Sequence, residues 1–425
     1  MIGDIKTIAV ARHEAIREFT IEVADDAHAE QVAERLGSLD GVEVIWFRDR
    51  AFLAHEGGKL EVSARRAVET NQDMRDVYTP GVARVCTAIA DEPSLARRYT
   101  TIGRTVAICT NGTRVLGLGD IGPVASMPVM EGKAIFYAQL AGISAVPVLI
   151  DTHDVDEFVE TVVRIAPSFG GIHLEDISAP ECFEIARRLI EALDQPVMHD
   201  DVHGTAVVSL AAAIVACRDA DMRLDEAVLG QVGLGAAGFG IASLIKSAGA
   251  ERVIATDPGE EARSRAAAFG IEPVEDLETL MREADVVVAT TGVPGLIKPS
   301  MVRKGQVILA LSNPAPEITI DDALEAGAAA AADGTVVNNV LGYPGMFRGA
   351  LLAGANAMTT EMKRAAAWAI AALTVEAEQL VPDVLDPQVH CCVADAVRQA
   401  AEDCGAARTS DTPSALEIDA QQQQR

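Results

Sequence analysis

Aromatic residues make up only 4% of this 425-residue sequence, and lysine accounts for just 7 of the 35 basic side chains. So few aromatics leave little from which to build a base-stacking platform. The basic side chains are outnumbered by 63 acidic ones, giving a formal net charge of −28. A field of that sign repels phosphate backbones and anionic headgroups, so neither nucleic acid nor a membrane surface is an expected partner. No run approaches 18 uninterrupted apolar residues, and Met1–Lys6 is not a charged segment leading into an apolar one. The cysteines (Cys86, Cys109, Cys182, Cys217, Cys391, Cys392 and Cys404) form no CxxC pair, so free thiols in a reducing cytoplasm are expected. An anionic substrate would need a local cation or metal to bind this chain at all.

What is present is a globular composition, 49% hydrophobic and 23% charged, at a length that suggests two or three domains at roughly 150 residues each. Residues 17–62 read as strand, helix, strand (Val42–Phe47) and a further strand (Arg50–His55), a βαββ run that suits a small α+β module of the ACT type or a plain structural extension. From about Ala64, short apolar strands such as Val106–Cys109, Val115–Leu118, Val146–Ile150 and Gly171–Leu174 alternate with helices, implying a mostly parallel sheet covered on both faces. A second βαβ series runs from Ala227 to about Val340, followed by helices over Met346–Ala372 and Val389–Glu402. The fold class expected is α/β. It comprises a module over residues 1–64, a substrate and metal domain over 65–205 and a Rossmann-type domain over 206–345. C-terminal helices over 346–405 and a low-complexity tail over 406–425 complete it.

Gly233, Gly235 and Gly238 form G-x-G-x-x-G around Leu234, Ala236 and Ala237, between a predicted strand and a predicted helix. Such a turn lets backbone N–H groups approach a pyrophosphate. Asp257 ends the next strand, where a carboxylate binds both ribose hydroxyls and repels a 2′-phosphate. NAD is therefore favoured, with Arg263 and Arg265 keeping NADP open. Glu175-Asp176 and Asp200-Asp201 each follow a short apolar strand, and three or four clustered carboxylate oxygens suit Mg²⁺ or Mn²⁺. His199 and His203 flank the second pair and read as core or supporting histidines. Lys133 lies in an otherwise apolar helical stretch, where a lysine either snorkels to the surface or, beside a divalent cation, serves as a base of depressed pKa. Tyr78, Arg114, Asn313 and Asn339 each read singly as core or turn residues.

Together these segments resemble the successive motifs of bacterial and archaeal malic enzymes, in the family's order over roughly residues 65–355. They are Asp76–Ala83, Val115–Pro123 with Pro128–Lys133, Leu174–Phe183, His199–Ala206 and Asn338–Ala350. The resemblance implies that Lys133 is the general base for the malate hydroxyl and Tyr78 the general acid for the enolate. It further implies that Glu175, Asp176 and Asp201 hold a divalent metal, that Arg114 grips a substrate carboxylate, and that Asn313 and Asn339 contact substrate, Asn313 also lying by the cofactor. The implied reaction is NAD-dependent oxidative decarboxylation of malate to pyruvate by a homodimer. Malolactic conversion to lactate and a non-catalytic dinucleotide sensor are the alternatives.

Overall fold

The computed structural model describes residues 2–408 apart from 13, 116 and 376–378, together with Leu416 and Ile418. It divides into two compact units, Met1–Lys59 and Leu60–Arg425.

The first unit is an antiparallel hairpin, β1 (Ile2–Val10) and β2 (Ala15–Ile21), followed by α1 (Asp26–Gly37) and α2 (Arg50–His55). Asp25 caps α1 by accepting from the His28 N–H at 2.7 Å, and Asp49 caps α2 through the Ala51 N–H at 2.6 Å. The expected second and third strands are not there. Val42–Phe47 forms no ladder, and Arg50–His55 is helical because the aspartate cap supplies a helix start that the apolar alternation hid. Two strands and two short helices bury little within this unit, where Ala29 is the one buried residue of α1.

The second unit opens with α3 (Asn71–Val77), α4 (Gly81–Asp91) and the short α5 (Ala96–Tyr99). A four-stranded parallel sheet follows, with β3 (Thr105–Thr110), β4 (Ser144–Leu149), β5 (Gly171–Leu174) and β6 (Val197–His199) in the order β4-β3-β5-β6. Its crossovers are α6 (Gly122–Ala141), α7 (Val155–Ile165) and α8 (Glu181–Ala192). Val115–Leu118, expected as a strand, is instead a turn closed by a single bridge from Val115 to Gly119. Gly117 and Gly119 adopt positive φ there and break the extended run.

A π-helical turn, Asp200–Gly204, leads straight into α9 (Thr205–Asp219). By length and composition Asp200–Asp219 would pass for a membrane span, yet 83% of its apolar window is buried inside the fold. The second parallel sheet has the order β12-β11-β10-β7-β8-β9. Its strands are β7 (Val228–Val232), β8 (Arg252–Thr256), β9 (Glu272–Pro273), β10 (Val286–Ala289), β11 (Val307–Ala310) and β12 (Ala330–Asp333). The strand order reverses beside β7, placing a ligand crevice at its carboxyl end. The helices of this half are α10 (Ala236–Ser247), α11 (Glu260–Ala268), α12 (Leu277–Glu283) and α13 (Ile320–Glu325).

The chain returns through α14 (Tyr343–Leu352), α15 (Thr360–Leu373) and α16 (Pro387–Asp403). One continuous apolar cluster joins Met130 and Tyr137 of α6, most of α9, Ile241 and Leu244 of α10, Tyr343 and Phe347 of α14 and Val393 and Val397 of α16. The tail is packed further than expected, since Ala406 is buried and its carbonyl accepts from the Asn356 N–H. Beyond Arg408 the expected low-complexity tail lies outside the described residues, save Leu416 and Ile418.

One contact fixes how the two sheets meet. Helix α10 lies so close to the π-turn that a Cβ on Gly240 would stand 2.1 Å from the carbonyl oxygen of Val202. Neither backbone can yield cheaply, so Gly240→Ala is expected to lower unfolding free energy by about 1–3 kcal/mol. Chemical denaturation followed by circular dichroism measures it.

Candidate active site

β5 and β6 run side by side in parallel, with Leu174 opposite His199. The residues that follow them, Glu175-Asp176 and Asp200-Asp201, therefore leave the same sheet edge together. Ligand-capable oxygens of Glu175, Asp176 and Asp201 all lie within 4.8 Å of one another. Asp176 takes a left-handed backbone conformation, φ 52°, which is costly for a residue with a Cβ. Its N–H donates to Asp201 Oδ2 at 3.1 Å, and its carbonyl accepts from the Arg114 N–H at 3.1 Å.

A second layer lies beneath these groups. Lys133 Nζ projects from α6 to 2.6 Å from Asp200 Oδ2 and 3.1 Å from Glu175 Oε2, with its side chain only 11% exposed. Asn339 Nδ2 donates to the same Asp200 oxygen at 2.6 Å, and the Tyr343 ring lies 4.7 Å from the ammonium. His173 Nε2 sits 2.6 Å from Glu175 Oε2, and Tyr137 Oη is 2.8 Å from His173 Nδ1. A carboxylate can only accept, so Nε2 carries the hydrogen and Nδ1 accepts from the tyrosine hydroxyl. Burial keeps that imidazole neutral, pushing its pKa down to about 3.

Carboxylates this crowded resist ionisation. Burial pushes Glu175 up to about 7. Burial and the neighbouring Asp201 take Asp176 to about 7, and burial with Glu175 takes Asp201 to about 8. Asp176 Oδ2 is buried with no hydrogen-bond partner. Three mutually repelling carboxylates of hard oxygen character, one of them with an unpartnered buried oxygen, fit a divalent cation such as Mg²⁺ or Mn²⁺. The depressed pKa expected for Lys133 belongs to a lysine beside a bound cation; the protein groups alone act the other way. Burial lowers it, but Asp200 and Glu175 outweigh burial and hold the ammonium well above the ordinary lysine value.

The glycine-rich turn stands at the carboxyl end of β7. Gly233 has φ 87°, and a Cβ on Gly238 would lie 2.0 Å from the Gly233 carbonyl oxygen, so helix and turn close on each other only without side chains. A Cβ on Gly235 would meet nothing, which leaves that face of the turn open. Gly235 caps α10 without a side-chain bond, and Ala236 and Ala237 put no acid in the first turn, so the helix N–H groups are free for a pyrophosphate. Asp257 Oδ2 accepts from the Leu234 N–H and Oδ1 from the Gly259 N–H, both at 2.7 Å. The two arginines that kept a 2′-phosphate open are engaged elsewhere. Arg263 donates to the Asp257 carbonyl and Arg265 to that of Leu234.

Residues 57–190 match the family described as Malic enzyme, N-terminal domain, and residues 228–314 match NADP oxidoreductase coenzyme F420-dependent. The chain is 51% identical to NAD-dependent malic enzyme 1 of Bacillus subtilis (strain 168), over 94% of this chain and 91% of that one. It is 40% identical to the NAD-dependent malic enzyme of Geobacillus stearothermophilus, over 97% and 91%. The crystal structure of malic enzyme from Pyrococcus horikoshii Ot3 superposes with a TM-score of 0.80 at 36% identity, covering 85% of this chain and 92% of that one. The chain belongs to the malic enzyme family.

In this malic enzyme the fold brings Lys133, Glu175, Asp176, Asp201 and Asn339 into one cluster. Arg114 is exposed beside it, stationed by its backbone bond to Asp176. Asn313 Nδ2 donates to the Gly334 carbonyl at 3.2 Å, and Pro314 faces Gly117 of the Arg114 turn, with 3.9 Å between Pro314 Cδ and a Cβ placed there. Tyr78 is not in the cluster. It ends α3 and is 69% exposed. His199 and His203 fall where expected: His199 is wholly buried, and the His203 ring accepts from the His199 N–H.

Sequence reasoning passed over His173, Tyr137 and Glu317, and it named Asp200 only as one of an acidic pair, not as the partner of Lys133. His173 was signalled by strand alternation, two residues before Glu175 and hence on the same face. Glu317, wholly buried, accepts from the Thr291 N–H at 2.6 Å and from Ser312 Oγ at 2.6 Å, tying the ends of β10 and β11 beside Asn313. An Asp257→Asn variant preserves the acceptor to Leu234 while removing the charge. It is expected to shift the NAD-to-NADP ratio of kcat/KM by ~10-fold toward NADP, measured by steady-state kinetics with each coenzyme.

Proposed function

We propose that this protein oxidises (S)-malate with NAD and decarboxylates it to pyruvate and CO₂, with a divalent cation held by Glu175, Asp176 and Asp201. The observation that carries this is the placement of Lys133 Nζ between Asp200 and Glu175, directly beside the three-carboxylate cluster. When bound, the nicotinamide takes the hydride from carbon 2 and the cation serves as the Lewis acid for loss of CO₂. The chain's own residues handle protons and orientation. Lys133 must give up its proton before it can accept that of the malate hydroxyl. Asp200, 2.6 Å away, holds and orients the Lys133 side chain. Asn339 shares the same Asp200 oxygen and fixes its direction. Arg114, exposed at the rim, supplies the cation for a substrate carboxylate. The free cysteines support a cytoplasmic location.

Tyr78 is the proposed acid for carbon 3, and its exposure means that something outside the cluster must deliver it. Neither α3 nor α4 buries a residue within the chain, while Met74, Val77, Val85, Val124 and Val129 are exposed. A second copy of the chain supplies the apolar cover those helices lack, and we assign a homodimer on that ground.

With purified protein, (S)-malate, Mn²⁺ and NAD, reduced nicotinamide should accumulate in step with pyruvate and stop on chelation. Lactate without net reduction would instead establish malolactic turnover, and no turnover in folded protein would sink both readings. A 1:1 mixture of Lys133→Ala and Tyr78→Phe chains, refolded together, should regain about a quarter of wild-type activity if Tyr78 serves the partner's Lys133. Mixed dimers without regained activity would show that each Tyr78 serves its own chain.

A further inference from the structure

Arg265 lies on α11, in the dinucleotide half, and its guanidinium is used in an unusual way. It stacks 4.4 Å from the ring centre of Phe183 and 5.2 Å from that of Phe239. Phe239 belongs to α10. Phe183 belongs to α8, in the half that carries the carboxylate cluster, one residue after the buried Cys182. The two rings meet edge to face at 5.3 Å, and Phe269 continues the stack at 5.1 Å from Phe239. Among the described residues of this strongly acidic chain, no ion pair joins Arg265 to a carboxylate. Its Nη2 donates instead to the Leu234 carbonyl at 3.1 Å, and its Nε is buried without a partner.

Leu234 is the second residue of the glycine-rich turn, so both of its backbone groups are held. Asp257 accepts from its N–H at 2.7 Å and Arg265 donates to its carbonyl. Between two glycines, one at φ 87°, the Leu234 segment has little intrinsic preference for one orientation. The aspartate and the arginine select one.

We propose that Arg265, braced on Phe183 across the two halves, is a positioning residue for dinucleotide binding: by holding the Leu234 carbonyl it presents the open face of the turn to the pyrophosphate. The inference rests on the dinucleotide reading of that turn. A planar guanidinium is required, because only it can face an aromatic ring while directing an in-plane N–H at a carbonyl. Lysine in its place keeps the charge and loses the geometry.

The test is NADH affinity by fluorescence titration of the full-length protein, alongside Mn²⁺ affinity by calorimetry. Arg265→Met and Arg265→Lys should each weaken NADH about 10-fold, consistent with loss of one charged hydrogen bond and its stacking support. Mn²⁺ affinity should stay within two-fold. Phe183→Leu should weaken NADH in the same direction, Phe183→Trp should preserve it, and the Arg265→Met/Phe183→Leu double variant should be no worse than Arg265→Met alone. Unchanged NADH affinity in Arg265→Met would overturn the proposal. So would a parallel loss of Mn²⁺ affinity, which would make Arg265 a general support of the fold. If Arg265→Met does not fold, the Phe183 pair decides alone: equal affinities in Leu and Trp variants defeat the bracing role. Failure of the unmodified protein to bind NADH would strike the dinucleotide reading itself.

Discussion

Everything in the larger unit is arranged around a burial that would be ruinous if left uncompensated. Glu175, Asp176, Asp200 and Asp201 gather at the carboxyl end of a four-stranded sheet, with Lys133 the one cation paired to them among the described residues. Several buried anions per cation is an unstable charge balance in a medium that screens poorly. The fold meets it with donors: Lys133 and Asn339 converge on one oxygen of Asp200, and His173, oriented by Tyr137, attends to Glu175. What remains uncompensated is the mutual repulsion of Glu175, Asp176 and Asp201, all pushed up from ready ionisation, together with the unpartnered buried oxygens Asp176 Oδ2 and Asp200 Oδ1. That residual repulsion is what a divalent cation would relieve.

The elements that build this cluster were legible where the chemistry is local. Short apolar strands ending in paired acids, and a strand running into G-x-G-x-x-G, carry their meaning in adjacent residues, and the structure places both at carboxyl strand ends. The roles that stayed hidden depend on distant neighbours. Lys133 and Asp200 are 67 positions apart, and nothing near either one says that two carboxylates hold the lysine protonated. Arg263 and Arg265 looked available to a phosphate because their partners, a backbone carbonyl each, leave no trace in side-chain pattern.

The amino-terminal unit shows the opposite limit. Apolar alternation in Val42–Phe47 and Arg50–His55 is a fair signal for strands, but a strand exists only where another strand accepts its hydrogen bonds. Here the Asp49 cap turns one segment into a helix and the other joins no strand among the described residues. Val115–Leu118 failed for a related reason, since its glycines bend the chain before a ladder can form.

The approach of α10 to the π-turn at Gly240 has a consequence for how such a protein can change over generations. The helix that opens at the glycine-rich turn rests, backbone on backbone, against the segment bearing Asp200 and Asp201. A contact with no side chain between its partners cannot be retuned by substitution; it can only be kept or pried apart. The nucleotide half is therefore not an exchangeable cassette. A foreign βαβ unit grafted onto this chain would have to reproduce a glycine at that position and the same helix trajectory. Otherwise it would displace the acidic turn on which the proposed chemistry rests.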